Sequence, residues 1–157
     1  MSTTPVNLAE ADVLPNHIKL IRNALKKTLK SEARLQDIKA WHNVIKGADF
    51  KTPYGYVIFV SRLPIDGQHS TGFWEYRYNF QIGVVTELIS TEEDATDDKA
   101  LDLINLVESS IQKQEKVLGT TDLFMYPKTI DNQDYGFLPN VRHLSLKIGF
   151  TQEVKMG

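Results

Sequence analysis

The run FWEYRYNFQIGVV, Phe73 to Val85, places Trp74, Tyr76, Tyr78, Phe80, Ile82 and Val84 at every second position. Side chains alternate between the two faces of a strand, whereas a helical stripe returns every three to four residues, so this spacing predicts one long two-faced β-strand. At about 3.3 Å per residue, a strand from Phe73 to Glu87 reaches roughly 45–50 Å. A compact chain of 157 residues has a radius of gyration of about 15 Å and is only about 40 Å across. A hairpin that contains this strand is therefore expected to protrude from the body. Its apolar face is then core at the base and contact surface at the tip, because a large exposed apolar patch marks a protein contact.

The partners of this strand are visible nearby. Lys51-Thr52-Pro53 precedes YGYVIFVSRLP, apolar on both sides from Tyr56 to Val60, as expected of a doubly covered strand at the centre of the sheet. The segment IDGQHSTG, Ile65 to Gly72, is rich in turn formers and predicts the hairpin tip. VRHLSLKIGFTQEV, at the C-terminal end, turns Leu144, Leu146, Ile148 and Phe150 to one face and His143, Ser145, Lys147 and Thr151 to the other. Cover on one face is sufficient for two such strands in an antiparallel sheet. Leu123 to Tyr126 predicts a short strand, Lys128 to Asn140 an irregular loop, and DIKAWHNVIKGADF a strand around Ile38 to Ile45 in preference to a helix.

Two helices complete the pattern. Leu14, Ile18, Ile21, Leu25 and Leu29 recur at helical spacing behind an Asp12 cap and Pro15, with Lys19, Arg22, Lys26, Lys27 and Lys30 largely between them. Ala100, Leu101, Ile104, Val107 and Ile111 form a second stripe, capped at Thr91 or Thr96, preceded by the acidic stretch STEEDATDD and ended at Gly119. The predicted fold is α+β in two layers: a mostly antiparallel sheet with a long protruding β-hairpin, covered by two helices. It is read as a single domain over 1–157 with a flexible N-terminal arm over 1–11.

Composition removes whole classes of function. With 41% hydrophobic residues, a chain of this size buries roughly two-thirds of its unfolded surface. The absence of cysteine excludes disulfides, thiolate metal sites and cysteine nucleophiles, and a reducing cytoplasm is the simplest setting. A net charge of −2 provides no global field for nucleic acid or anionic lipid, and no stretch has the apolar length of a membrane span or a signal peptide.

No catalytic motif stands out. His17, His42, His69 and His143 are scattered without metal-ligand spacing, the nine glycines form no phosphate loop, and no serine sits in a nucleophile elbow. Glu92, Glu93, Asp94, Asp97 and Asp98 lack the glycine and closing glutamate of a calcium loop and fit a solvated helix start. Asp131, Asp134 and Tyr135 within DNQDYG could line a site, but as turn formers they need no such role. The expectation is no enzyme, no cofactor and no metal. The aromatics with Arg62 and Arg77 resemble a stacking platform for single-stranded nucleic acid, but sharing a face with Ile82 and Val84 favours burial.

In element order the chain resembles the tail-terminator (tail-completion) proteins of long-tailed bacteriophages. The matching segments are LPNHIKLIRNALKKTL, TPYGYVIFVSR, WEYRYNFQIGVVTE, DDKALDLINLVESSIQK and VRHLSLKIGFTQEV, within about residues 12 to 154. The resemblance implies a virion protein of the tail or neck region, assembled in the host cytoplasm. It implies a homo-oligomeric ring, commonly a hexamer, that stops growth of the major tail tube protein and joins it to a neck or head-completion protein. DNA would pass through the lumen without specific binding, and no membrane is involved. Arg62, Phe73, Trp74, Tyr76, Arg77 and Tyr78 are the expected contact residues, and Glu92, Glu93 and Asp94 the expected lumen lining. The same architecture would serve a neck connector or a baseplate adaptor. A small hydrolase or single-strand binder is the more distant alternative.

Overall fold

The computed structural model describes residues 16–45, 51–64, 73–112, 123–132 and 141–155, with side chains except at 73–75, 112, 123–132 and 151–155. The expected arm over 1–11, the Asp12 cap, the hairpin tip at Ile65 to Gly72 and the helix end at Gly119 lie outside these residues.

Helix α1, His17–Ser31, is capped by Asn16, whose side chain accepts a hydrogen bond from the Lys19 backbone N–H at 3.0 Å. Ile21, Leu25 and Leu29 form its buried stripe, and Glu32 ends it in an extended conformation. A short 3-10 turn, Ala33–Leu35, leads to strand β1, which is only Trp41–His42 rather than Ile38 to Ile45. Strands β2, Tyr54–Pro64, and β3, Phe73–Glu87, come next, then helix α2, Glu93–Gln112, strand β4, Leu123–Asn132, and strand β5, Val141–Lys155. The sheet order is β1-β2-β3-β5-β4. Its pairs are antiparallel except β1 with β2. Sheet and helices make the expected α+β fold.

The centre of the sheet is β3, not β2. β2 and β3 pair from Tyr54↔Val85 to Pro64↔Tyr76, and β5 runs beside β3 over its whole length, from Glu87↔Val141 to Phe73↔Lys155. β1 reaches only Gly55 and Tyr56, so beyond Tyr56 the outer edge of β2 carries no strand among the described residues. The doubly apolar run in β2 is buried only to Val57, whereas Phe59 and Val60 are exposed. Apolar composition had suggested a central strand, but central position is set by which strands pair.

β4 also runs further than Tyr126, through Lys128 to Asn132, where a loop was expected. A register shift between Pro127 and Thr129 accommodates the proline, which has no N–H for the ladder and is tolerated at a bulge on an outer strand.

The core lies between the sheet and the helices. Tyr78, Phe80, Ile82 and Val84 of β3 meet Leu144, Leu146, Ile148 and Phe150 of β5 and the stripes of α1 and α2, including Leu25 and Val107. The opposite face is buried as well, contrary to the expectation of one covered face: Tyr54, Tyr56, Val85, His143 and Ser145 are each at most 2% exposed. A glycine makes room for this second layer: a Cβ on Gly83 would stand 2.2 Å from the Tyr56 ring. On the helix-covered face, a Cβ on Gly55 would stand 2.3 Å from the Trp41 ring.

Candidate assembly surfaces

The register places Arg62 opposite Tyr78, Leu63 opposite Arg77 and Pro64 opposite Tyr76. Tyr78 is fully buried, with the His17 ring edge-on at 6.5 Å, so it is a core residue and presents no contact surface. Burial raises its hydroxyl pKa, and the Arg62 charge beside it works in the opposite sense. Tyr76 is half-buried against the core, and the exposed Arg62 lays its guanidinium 4.7 Å from the Tyr76 ring centre. Arg77 is half-buried. Phe73 and Trp74 pair through the backbone with Lys155 and Val154, and their side chains lie outside those described.

Among the described residues, three exposed large apolar side chains lie together on β2, where Phe59, Val60 and Leu63 are 37%, 55% and 54% exposed. Phe59 and Val60 were expected to be covered. Among the described residues no strand pairs with β2 beyond Tyr56, and the sequence DIKAWHNVIKGADF carries no signal of where β1 ends. An open edge offers outward-pointing backbone donors and acceptors, and this one has apolar side chains along it with a single charge, Arg62.

The carboxylates expected to line a lumen, Glu92, Glu93 and Asp94, are exposed at the start of α2, where they complement the helix dipole. Thr96 does not cap the helix from outside. Its hydroxyl donates to the Glu92 carbonyl at 2.9 Å and accepts from the Ile89 N–H at 3.3 Å, which ties the preceding turn to the first helical turn. Asp97 forms an ion pair with the Arg142 guanidinium at 2.7 Å, which ties this end of α2 to β5. On α1 the Lys26 ammonium donates to Asn43 Oδ1 at 2.9 Å. Burial, and then the charges of Lys30 and Arg22, lower the Lys26 pKa from its ordinary value.

Among the described residues no three of His, Cys, Asp and Glu are grouped to hold a metal ion, and no helix is long and apolar enough to cross a membrane. His17 and His42 stand edge-on to Tyr78 and Tyr54, and His69 lies outside the described residues. His143 is buried, with Nε2 bonded to the Tyr56 hydroxyl, which also accepts from Gln81 Nε2 at 3.1 Å. The Tyr56 hydroxyl can accept from the Gln81 amide and still donate its own proton to the imidazole, which accepts it in the neutral form.

Burial holds the His143 pKa down at about 4. An unfolded chain, with a histidine pKa near 6.5, binds the proton first as pH falls, so stability is complete above about 6.5 and is lost toward 4. Stability from this group should fall by about 2 kcal/mol between pH 7.5 and pH 5. Denaturant titrations at the two pH values, compared with His143→Leu, should show that part of the slope disappear in the variant; an unchanged slope contradicts a buried neutral imidazole.

No protein-family model matches the sequence, and no curated protein sequence does so. Solved structures do. The fold resembles a chain from the virion of a native gene transfer agent particle, with a TM-score of 0.59 and 16% identity over 85% of this chain and 94% of that one. It also resembles a chain described with the sheath/tube terminator of an extracellular contractile injection system in its extended state, with a TM-score of 0.61 and 14% identity. That likeness covers 89% of this chain but 57% of the other, so this protein spans somewhat more than half its length. The α+β fold expected from element order is therefore shared with both of these chains.

Proposed function

We propose that this chain is a structural subunit of a phage-like tail, which assembles with copies of itself into a ring at the top of the tail tube, ends tube growth and joins the tail to the neck. The observation that carries this reading is the likeness of the fold, over 89% of the chain, to a structure described with a sheath/tube terminator. The open edge of β2, with Phe59, Val60 and Leu63 exposed beside it, supports the reading physically. A neighbouring subunit or the end of the tube can complete that edge with backbone hydrogen bonds and cover its apolar side chains. Arg62, Tyr76 and Arg77 lie at the same end of the sheet and belong to this contact. The role is non-enzymatic, and DNA passes through without specific binding because the net charge of −2 provides no general phosphate attraction.

The size of the purified protein tests the proposal. Light scattering should give a mass several times 17.9 kDa, electron microscopy should show rings with a central opening, and the particle should not be retained on single-stranded DNA. A monomer retained on single-stranded DNA would instead support a nucleic-acid-binding module and overturn the reading.

A further inference from the structure

The helix layer carries opposite charges on its two flanks. α1 packs over β2, whereas α2 packs over β3 and β5. The start of α2 is held to β5 by the Asp97–Arg142 pair, and β2 and β5 lie on either side of β3. On the solvent side of α1, Asn23, Lys26, Lys27, Lys30 and Ser31 line a shallow depression. Among the described residues none of these lysines is in an ion pair; the ion pairs present are Arg34–Glu32 and Arg142–Asp97. Glu92, Glu93 and Asp94 are likewise exposed and free of ion pairs within the described residues. Each patch therefore has unmatched charge facing solvent, and the two have opposite sign.

When a surface patch complements a different patch on the same molecule, copies associate head to tail, and the contact closes into a ring where the rotation permits. Resting on the ring reading above, we propose that the lysine-lined depression on α1 receives the acidic start of α2 from a second copy of this chain. Lys27 and Lys30, both exposed, meet the incoming carboxylates. Lys26 is tethered to Asn43 and backs the depression with positive charge. Burial disfavours the Lys26 ammonium first, and the Lys30 and Arg22 charges add to it; an incoming carboxylate offsets the part that comes from those charges. Glu92, Glu93 and Asp94 then serve the contact between copies and not the lumen.

The test uses two charge-reversed chains, Lys27→Glu/Lys30→Glu and Glu93→Lys/Asp94→Lys, each checked by circular dichroism for retained fold. Like charges brought together across a contact cost several-fold to many-fold in affinity, so each variant alone should associate roughly a hundredfold more weakly than the unaltered chain by light scattering. Mixed in equal amounts, the two should recover assembly, because an alternating ring restores opposite charge at every contact. Raising the salt from 50 to 500 mM should weaken the unaltered assembly. If the unaltered chain assembles and neither variant differs from it, the charges line the lumen or face solvent, and this inference fails while the ring reading stands. If only the lysine variant is impaired, or the mixture does not recover, the occupant of the depression is another protein and the inference also fails. A chain that stays monomeric at every concentration and salt overturns both.

Discussion

Phe80→Ala should destabilise the protein by about 3–5 kcal/mol, the range for truncating a buried aromatic. Phe80 is completely buried in the middle of the central strand. Its ring meets Phe59 of β2 edge-on at 5.7 Å and Phe150 of β5 edge-on at 6.0 Å, so it joins three strands in one aromatic row. Truncation removes its transfer free energy, leaves a cavity that β3 cannot close while it is paired on both sides, and breaks two aromatic contacts worth about 0.5–1.5 kcal/mol each. A domain holds only about 5–15 kcal/mol in total, so the loss is a large share of it. Denaturant unfolding should show the midpoint fall with little change in slope. Phe59 is 37% exposed, so Phe59→Ala should cost clearly less. If the two substitutions cost the same, the aromatic row is not organised around Phe80.

Gly83→Val should be comparably damaging for the opposite reason. Gly83 faces Tyr56 across the β2–β3 ladder, and a Cβ there would stand 2.2–2.3 Å from the Tyr56 Cζ, Cε2 and Oη atoms. Tyr56 has no free space to move into, since it is fully buried and its hydroxyl is bonded to His143 and Gln81. Either the strands separate or the ring leaves its site. Loss of the ring from its site approaches the cost of deleting a buried aromatic, about 3–5 kcal/mol. Thermal unfolding of Gly83→Val and of the double variant Gly83→Val/Tyr56→Ala separates the two contributions. The second substitution should add little to the first, because contacting residues are not additive. Full additivity would show that the ring and the glycine do not share one site.

Both predictions concern β3, and they differ in how legible they were. Alternation in FWEYRYNFQIGVV and VRHLSLKIGFTQEV is enough to assign Phe80, Ile82, Leu146 and Ile148 to one buried face, because period two is a property of the strand backbone and of no other element. The stripes Ile21, Leu25, Leu29 and Ile104, Val107, Ile111 are legible for the same local reason, at the helical period. The layout of two helices over an antiparallel sheet follows from these elements.

Pairing is not local, and that is where the sequence stopped being informative. Nothing in WHNVI shows that β1 would be two residues long, yet among the described residues no strand pairs with β2 beyond Tyr56, where Phe59, Val60 and Leu63 are exposed. Nothing in the alternation of β5 shows that His143 and Ser145, on its polar side, would be buried. The acidic and basic clusters were plain as composition, but their positions on opposite flanks depend on β5 pairing with β3 and not with β2. The sequence by itself thus determined which way each side chain points from its own strand or helix, since φ/ψ periodicity is set by neighbouring residues. Only the tertiary structure decided what each face meets, because strand order and register are chosen by contacts between residues far apart in the chain.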